Sequence, residues 1–176
     1  GRDGVYMPEY YYDKDNGRKV TKAGFVKDNR GLTYYLDEKG NKVLGLHEIN
    51  GDLYYFRRGG AYKYTQLGDM WQDSINYIDG KIYYFGHDGR AIKNRFYQWG
   101  NYWYYFYADG SAATGAVQIN GQQLYFDKNH GRQVKGAFAP DGHYYDENSG
   151  ELVTNQTRTI KGVTYHFDEN GNATKV

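Results

Sequence analysis

Paired carboxylates are the side chains of this sequence best suited to acid–base chemistry. Asp37-Glu38, Asp146-Glu147 and Asp168-Glu169 offer the residue types that glycoside hydrolases place on either side of a scissile bond. All three pairs directly follow an aromatic triplet and precede a glycine, so they occupy the same phase of a repeat. A recurring position of this kind predicts a solvated turn, and we expect no catalysis there.

Nucleophilic and metal-dependent chemistry lacks the residues that it needs. The chain has no Cys, and Ser74, Ser111 and Ser149 stand outside any G-x-S-x-G motif. The five His residues never approach metal-ligand spacing, and no phosphate-binding glycine loop occurs. The segment 13–17 begins like a calcium loop, but Gly24 stands where the bidentate Glu belongs. We therefore predict a protein that is not an enzyme and has no metal site and no cofactor.

Aromatic residues dominate the composition. Of 176 residues, 19% are aromatic and 22 are Tyr, whereas 22 Lys and Arg nearly balance 21 Asp and Glu, for a net charge of +1. A balanced charge creates no large field for nucleic acid or an anionic membrane. No apolar run approaches the roughly 18 residues that span a bilayer. We expect a soluble piece of a longer protein, with no nucleic-acid partner and no membrane insertion.

Aromatic rings beside amide and ammonium groups are suited to binding carbohydrate. The C–H face of a pyranose stacks on a ring, while its hydroxyls need the donors and acceptors that Gln and Lys supply. The segment 116–136 and the hairpin before it have the fullest set of these residues. The predicted sugar contacts are Tyr104 or Tyr125 as the platform, with Gln122, Gln133 and Lys135 at the hydroxyls. Further candidates are Trp99, Trp103, Trp71 and Gln118.

A quaternary ammonium group is the competing ligand. A cage of aromatic rings binds choline by cation–π attraction, and Trp is the best ring for this purpose. Trp99 and Trp103 lie close together in the sequence, so this pair predicts a choline site at one place rather than along the whole chain. A choline-binding, cell-wall-binding or adhesion module, of the type that binds host-surface receptors, is therefore the alternative function.

A turn dipeptide before an aromatic triplet recurs every 20 or 21 residues, with one exception, and must position these side chains. Asn50-Gly51 precedes Tyr54-Tyr55-Phe56, for example, and the fifth copy has Gly100-Asn101 instead. Asn-Gly between β-forming residues predicts a type I′ hairpin, and we expect Asn101 to adopt the left-handed conformation in place of Gly. A second glycine follows each triplet, at Gly40, Gly60, Gly89, Gly110, Gly131, Gly150 and Gly171. A third small residue follows five positions later, at Gly45, Asn94, Gly115, Gly136 and Asn155.

These repeats predict an all-β fold, a β-solenoid of about eight stacked β-hairpin repeats of roughly 20–21 residues, forming one repeat domain over 1–176. The predicted units are 1–24, around a degenerate Tyr10–Tyr12 triplet, then 25–45, 46–65, 66–94, 95–115, 116–136, 137–155 and 156–176. The fourth contains an insertion, predicted over 66–74 with Met70 and Trp71 inside, which is either a tolerated bulge or the wall of a binding site. A barrel or sandwich is disfavoured because its strands would not repeat one motif eight times.

The sixth unit carries a resemblance to a known family. Its segments Asn120–Phe126 and Gly131–Gly136, the latter with the ending Gln-Val-Lys-Gly, resemble the glucan-binding repeat of bacterial glucansucrases, the enzymes of glycoside hydrolase family 70. The Tyr-Tyr-Phe-Asp-x-x-Gly element is shared with choline-binding proteins and clostridial toxin repeats. Only Lys135 stands in a full copy of the ending, so one or two functional pockets are expected.

This resemblance also implies a function and a setting. It implies a non-catalytic, cell-wall-binding-type solenoid that binds α-glucan, dextran or isomalto-oligosaccharide in pockets lined by a stacking Tyr with Gln and Lys. It further implies a secreted, dextransucrase-like parent protein of a Gram-positive bacterium, found outside the cell or at its surface, whose catalytic domain is the partner of this one.

Overall fold

The computed structural model describes residues 17–20, 22–59 and 67–176, and it is built of β-hairpins. The strands in these ranges are β1 Gly24–Lys27, β2 Thr33–Leu36, β3 Gly45–Ile49, β4 Asp52–Phe56, β5 Ser74–Ile78, β6 Lys81–Phe85, β7 Arg95–Trp99, β8 Tyr102–Phe106, β9 Gly115–Ile119, β10 Gln122–Phe126, β11 Ala137–Phe138, β12 Tyr144–Tyr145, β13 Gln156–Ile160, β14 Val163–Phe167 and β15 Ala173–Lys175. Among the described residues no helix has the length and apolar character that crossing a membrane requires. The predicted Tyr10–Tyr12 triplet and Gly60 lie outside these ranges.

Consecutive strands pair as antiparallel hairpins, and β15 adds a third strand to the last one. The tight hairpins follow from their turn residues. Asn120 and Gly121 join β9 to β10 with φ of 52° and 80°, the two positive values that a type I′ turn requires. The pairs Asn50-Gly51, Asp79-Gly80 and Lys161-Gly162 repeat this geometry. The sequence prediction of type I′ hairpins is confirmed at these four positions.

Three other turns differ from the prediction. Gly100 has a φ of 61°, but Asn101 is not among the residues with positive φ, so the expected left-handed Asn101 was wrong. A positive φ at the first central residue alone is the type II′ pattern, which the reversed order Gly-Asn favours. The loops 28–32 and 139–143 are longer; in the first, Asp28 accepts hydrogen bonds from the N–H groups of Arg30 and Leu32, both at 2.9 Å.

A short return segment joins each of five successive hairpins, from β3–β4 to β11–β12, to the hairpin before it. Gln133 forms a β-bridge with Phe126 of its own hairpin and donates its backbone N–H to the carbonyl oxygen of Trp103 at 2.8 Å. The next residue, Val134, donates back to Tyr125 at 2.9 Å. The same link to the preceding hairpin runs from Met70 to Thr33, Ala91 to Leu53, Ala112 to Ile82 and Leu152 to Gln123, at 2.7 to 2.8 Å. Successive hairpins are thus connected through main-chain atoms.

The insertion lies earlier than the sequence predicted. Met70 bridges Phe56, and Trp71 donates its N–H to the Tyr55 carbonyl oxygen at 2.9 Å, so both residues belong to a regular return segment. Thirteen residues (57–69) separate Phe56 from Met70, where five (86–90) separate the corresponding residues of the next hairpin. The prediction over 66–74 was wrong because Asp73, with a φ of 56°, takes the place where other repeats have Gly or Asn.

Two compact units divide the chain, 1–79 with 83–92 and 80–82 with 93–176. Each has its own aromatic core. In the first, Tyr55, Ile78 and Phe85 pack together, and in the second Phe126 and its buried neighbours pack against Phe96 and Tyr105. Tyr34, Tyr104, Tyr125 and Tyr145 are among the most buried side chains of the described residues. Tyr therefore supplies much of the core, and the division into eight units within a single domain stays a prediction.

Candidate binding sites

The carboxylates that could have suggested acid–base chemistry stabilise turns. Asp37 accepts hydrogen bonds from the N–H groups of Lys39 and Asn41, both at 2.9 Å. Asp146 accepts from Ser149 N–H and from the Arg158 guanidinium, each at 2.8 Å. These donors, the Ser149 N–H first, hold the pKa of Asp146 well below its usual range, so this carboxyl stays ionised. Within the described ranges, no cluster of three or more His, Asp or Glu residues could hold a metal ion.

Neither tyrosine predicted as a platform presents a ring face to solvent. Tyr104 is 1% exposed and Tyr125 is 2% exposed. Strand side chains alternate between faces, so Tyr104 points the same way as the fully buried Phe106. Tyr125 packs against Tyr145, with their ring centroids 5.7 Å apart. These two rings belong to the core, and their assignment as sugar platforms was wrong.

Two of the predicted polar contacts come from a return segment that is bonded to the strand of a different aromatic residue, Trp103. The return segment places the exposed Lys135 ammonium 5.5 Å from the centre of the Trp103 ring. Gln133 is bonded to the Trp103 carbonyl through its own N–H. Trp103 is 37% exposed, which leaves part of its ring open to a ligand. The structure therefore groups Trp103, Gln133 and Lys135 into one surface, which we call the Trp103 surface.

The other two predicted glutamines belong to the next hairpin. Gln123, like Trp103, accepts the N–H of a following return segment, here from Leu152 at 2.8 Å. Gln118 is paired with Gln123 across β9 and β10, and Gln122 is paired with Ile119. Gln118 therefore shares a face with Gln123, in the place that corresponds to the Trp103 face of the preceding hairpin, whereas Gln122 lies on the opposite face.

The paired tryptophans do not form a cage. Trp99 is paired with Tyr102 and Trp103 with Gln98 across β7 and β8. Directly opposite residues share a face of the hairpin and neighbouring pairs face opposite ways, so the two indoles lie on different faces. The Arg132 guanidinium lies 4.2 Å from the centre of the Tyr102 ring. The two indoles therefore do not enclose a ligand together, and a choline site in this unit stays a prediction.

A pocket of about 480 Å³ lies in the first unit beside Trp71. The Trp71 ring packs against Tyr55 with centroids 4.2 Å apart, and at the rim Arg57 makes two hydrogen bonds with Asp69, at 2.7 and 3.2 Å. The lining residues are Gly31, Leu32, Thr33, Arg57, Asp69, Met70, Trp71, Gln72, Ser74 and Asn76. Sequence reasoning named Trp71 as a candidate contact and placed Met70 beside it in the predicted insertion, but it missed Arg57 and Asp69. The signal for these two is the opposite charges at the two ends of the insertion.

A second pocket, of about 390 Å³, lies in the other unit. Its walls include Tyr144, Glu147 and Arg158, and Arg158 is held by Asp146. No aromatic residue in its lining is exposed, since Tyr144 is 7% exposed. It therefore lacks an open ring on which a sugar could stack.

Comparison with known families finds two repeat models. The family described as "Choline-binding repeat" matches residues 113–156. The family described as "Putative cell wall binding repeat" matches residues 23–42, 94–112 and 158–173. Both matches fall on the hairpins and return segments described above.

Curated relatives include streptococcal glucosyltransferases. Glucosyltransferase-S of Streptococcus mutans is 37% identical over 169 residues, covering 93% of this chain and 11% of the relative. Glucosyltransferase-I of Streptococcus downei is 38% identical over 165 residues, covering 90% of this chain and 10% of the relative. The chain therefore spans about a tenth of the length of these relatives.

Solved structures with the same fold include choline binding protein F from Streptococcus pneumoniae. In its crystal structure in the presence of a peptidoglycan analogue, the TM-score is 0.72 and the identity 26%, covering 94% of this chain and 54% of that one. The modular autolysin LytC of the same organism has a TM-score of 0.69 at 22% identity, covering 96% of this chain and 37% of that one, and shows the fold alone. The predicted all-β fold of hairpin repeats is confirmed.

Proposed function

Because this chain belongs to the choline-binding and cell-wall-binding repeats and is related to streptococcal glucosyltransferases, we propose that it binds α-glucan of the dextran type and does not act on it chemically. The resemblance to glucansucrases is confirmed by these relatives, which match 90–93% of the chain. We further propose that its parent is a secreted or surface-bound glucansucrase of a Gram-positive bacterium, whose catalytic domain is its partner.

The Trp103 surface supports binding of a sugar. An indole face covers the apolar C–H face of a pyranose, the Gln133 amide offers both a donor and an acceptor, and the Lys135 ammonium offers donors only. Each hydrogen bond replaces one to water, so we expect a single site to reach about 4 kcal/mol, near a millimolar Kd. Firm retention on a polymer then requires more than one site on the same chain.

The observation that favours glucan over choline is the placement of the protein's own cations. Lys135 lies over Trp103, Arg132 over Tyr102 and Arg57 near Trp71, at 5.5, 4.2 and 5.9 Å from the ring centres. A quaternary ammonium ligand at any of these rings would meet a like charge, whereas a neutral sugar gains hydrogen-bond donors. The rings are therefore arranged for a polyhydroxylated, uncharged ligand.

Native electrophoresis through gels with and without dextran, compared with retention on a choline-type matrix, tests this function. We expect dextran to retard the protein in the gel. We expect no retention on the choline matrix that free choline can elute, and no release of sugar from dextran or sucrose. Lys135→Met should weaken the retardation, whereas Lys128→Met, also on an exposed side chain, should not. Retention on the choline matrix without retardation by dextran would establish the alternative.

A further inference from the structure

We propose that the pocket beside Trp71 is a second carbohydrate site, which holds one pyranose ring against the indole and bonds its hydroxyls through the Arg57–Asp69 pair. This proposal takes its ligand class from the proposed function. The pocket lies in a different unit of the chain from the Trp103 surface and is lined by different residues. Its ion pair offers a hydroxyl group charge-assisted hydrogen bonds from both a guanidinium and a carboxylate.

The pocket is built on a rigid support. The two ends of the insertion are tied together by Arg57 N–H to the Asp69 carbonyl at 3.0 Å and by Gly68 N–H to the Arg57 carbonyl at 2.8 Å. Lys42 Nζ lies 3.4 Å from the Leu67 carbonyl oxygen and holds the same end of the insertion from the preceding repeat. Because these bonds fix the backbone of Arg57 and Asp69, the pair is preorganised.

The ion pair has hydrogen-bonding capacity left for a ligand. Arg57 uses Nε and Nη2 on Asp69, which leaves further guanidinium N–H groups, and each carboxylate oxygen accepts more than one bond. Asp69 is only 7% exposed, so a hydroxyl bonded here meets a fixed and poorly hydrated partner. Charge-assisted bonds of this kind are about twice as strong as neutral ones.

The apolar wall of the pocket is also fixed. Trp71 packs at a tilt of 43° against Tyr55, whose ring belongs to the core of the first unit, and Met70 lies beside it in the return segment. Thr33, Ser74 and Asn76 add hydroxyl and amide groups to the lining. A volume of about 480 Å³ lies within the range of about 300–1,000 Å³ that is usual for small-molecule sites. One supported ring with polar groups around it matches a single sugar unit.

The charged groups of the site give a cation no favourable partner. Asp69 is the acidic residue of the lining, and the guanidinium of Arg57 neutralises it at 2.7 Å. A choline group would gain no unpaired carboxylate and would meet Arg57, whose Cζ lies 5.9 Å from the centre of the Trp71 ring. The pocket therefore fits an uncharged pyranose.

Fluorescence of Trp71 can report this site alone. The chain has three Trp, so a variant with Trp99→Phe and Trp103→Gln leaves Trp71 as the sole indole and removes the Trp103 platform. Titration of this variant with isomaltotriose should change the emission saturably, with a Kd near millimolar, and choline chloride should give no saturable change.

Arg57→Lys in the same background tests the role of the ion pair. Lys keeps the charge but loses the planar fork and its spare N–H groups, so the Kd should rise about fivefold or more. Arg58→Lys is the matched control, because the exposed Arg58 lies against Gly45 and does not line the pocket. Asn76→Ala, which leaves the ion pair intact, should also weaken binding, and circular dichroism checks that each variant is folded.

Two results would overturn the proposal. One is a folded single-Trp variant whose emission does not respond at sugar concentrations about tenfold above millimolar. The other is an Arg57→Lys variant that binds as well as Arg58→Lys. Either result leaves the proposed function to be judged separately, because that function predicts dextran retardation of the unmodified chain through Trp103.

Discussion

Replacing Trp103 by Gln tests whether a sugar stacks on this ring without disturbing the fold of the hairpin. Gln123 occupies the corresponding place in the next hairpin, where its carbonyl accepts the same kind of bond from a return segment. The repeat therefore tolerates Gln at this position, and Trp103→Gln should keep the hairpin while removing the indole face. Trp103→Phe retains a smaller platform and serves as the comparison.

The loss of binding free energy in Trp103→Gln can be worked out from the exposed area of the Trp103 ring. A Trp side chain has up to about 250 Å² of surface, so the 37% that Trp103 exposes corresponds to about 90 Å². If a pyranose covers about half of this area, and buries a similar area of its own, about 90 Å² leaves water, which is worth about 2 kcal/mol. Trp103→Gln should then raise the Kd for isomaltotriose about 30-fold.

Heteronuclear NMR measures this Kd at the site itself. The backbone amides of Gln133 and Lys135 report the Trp103 surface, whatever binds at Trp71 in the other unit. Trp103→Phe should fall between the wild type and Trp103→Gln, and Trp99→Ala, on the other face of the hairpin, should leave the Kd unchanged. A Kd for Trp103→Gln within about threefold of the wild type would refute stacking at this ring.

Four other predictions follow from particular contacts. Gly150→Ala and Gly121→Ala place a Cβ at similar φ values, 73° and 80°, and should each cost about 1–2 kcal/mol in chemical unfolding. Only Gly150→Ala should also weaken dextran retardation, since its Cβ meets the Gln133 amide and the Lys135 stem whereas that of Gly121 meets open space. Burial lowers the pKa of Lys42 to about 8, below its value in the unfolded chain. Between pH 8 and 10 the unfolded chain therefore binds more protons than the folded one, and stability rises with pH. The urea midpoint of the wild type should rise over this range relative to that of Lys42→Met. Because the pKa of Asp146 is lowered in the folded protein, this carboxylate stabilises the fold above its unfolded pKa of about 3.9, and the stabilisation is lost as the pH falls below that value. In thermal melts at acid pH, Asp146→Asn should make the melting temperature depend less on pH. Deleting 156–176 should shorten the array without unfolding the rest, as circular dichroism would show, whereas complete unfolding would argue against a repeat architecture.

The hairpins could be predicted because their signals are local. Asn120-Gly121 sets a type I′ turn through two adjacent residues, and the aromatic strands on either side follow directly from it. The reversed pair at Gly100 shows the limit of this reasoning, since the position of the turn was predicted correctly but its type was not. Exchanging the order of two residues changes which of them can take a positive φ.

The candidate binding surfaces could be predicted only in part because their residues meet across repeats. Gln133 and Lys135 were identified from their own segment, but the ring beside them, Trp103, comes from the preceding hairpin through a main-chain bond. Arg57 and Asp69 meet across an insertion whose position was misjudged. Strand alternation alone already excludes Tyr104, since it shares a face with Phe106.

The bond that joins successive hairpins is made by the backbone, so it places no demand on the side chain of the residue that donates it. Met70, Ala91, Ala112, Gln133 and Leu152 all make it. A gene that duplicates one repeat therefore gains a hairpin that can already attach to its neighbour. Later point mutations at this residue and two positions beyond it, where Lys135 stands, can change the side chains that the return segment displays while the attachment is kept.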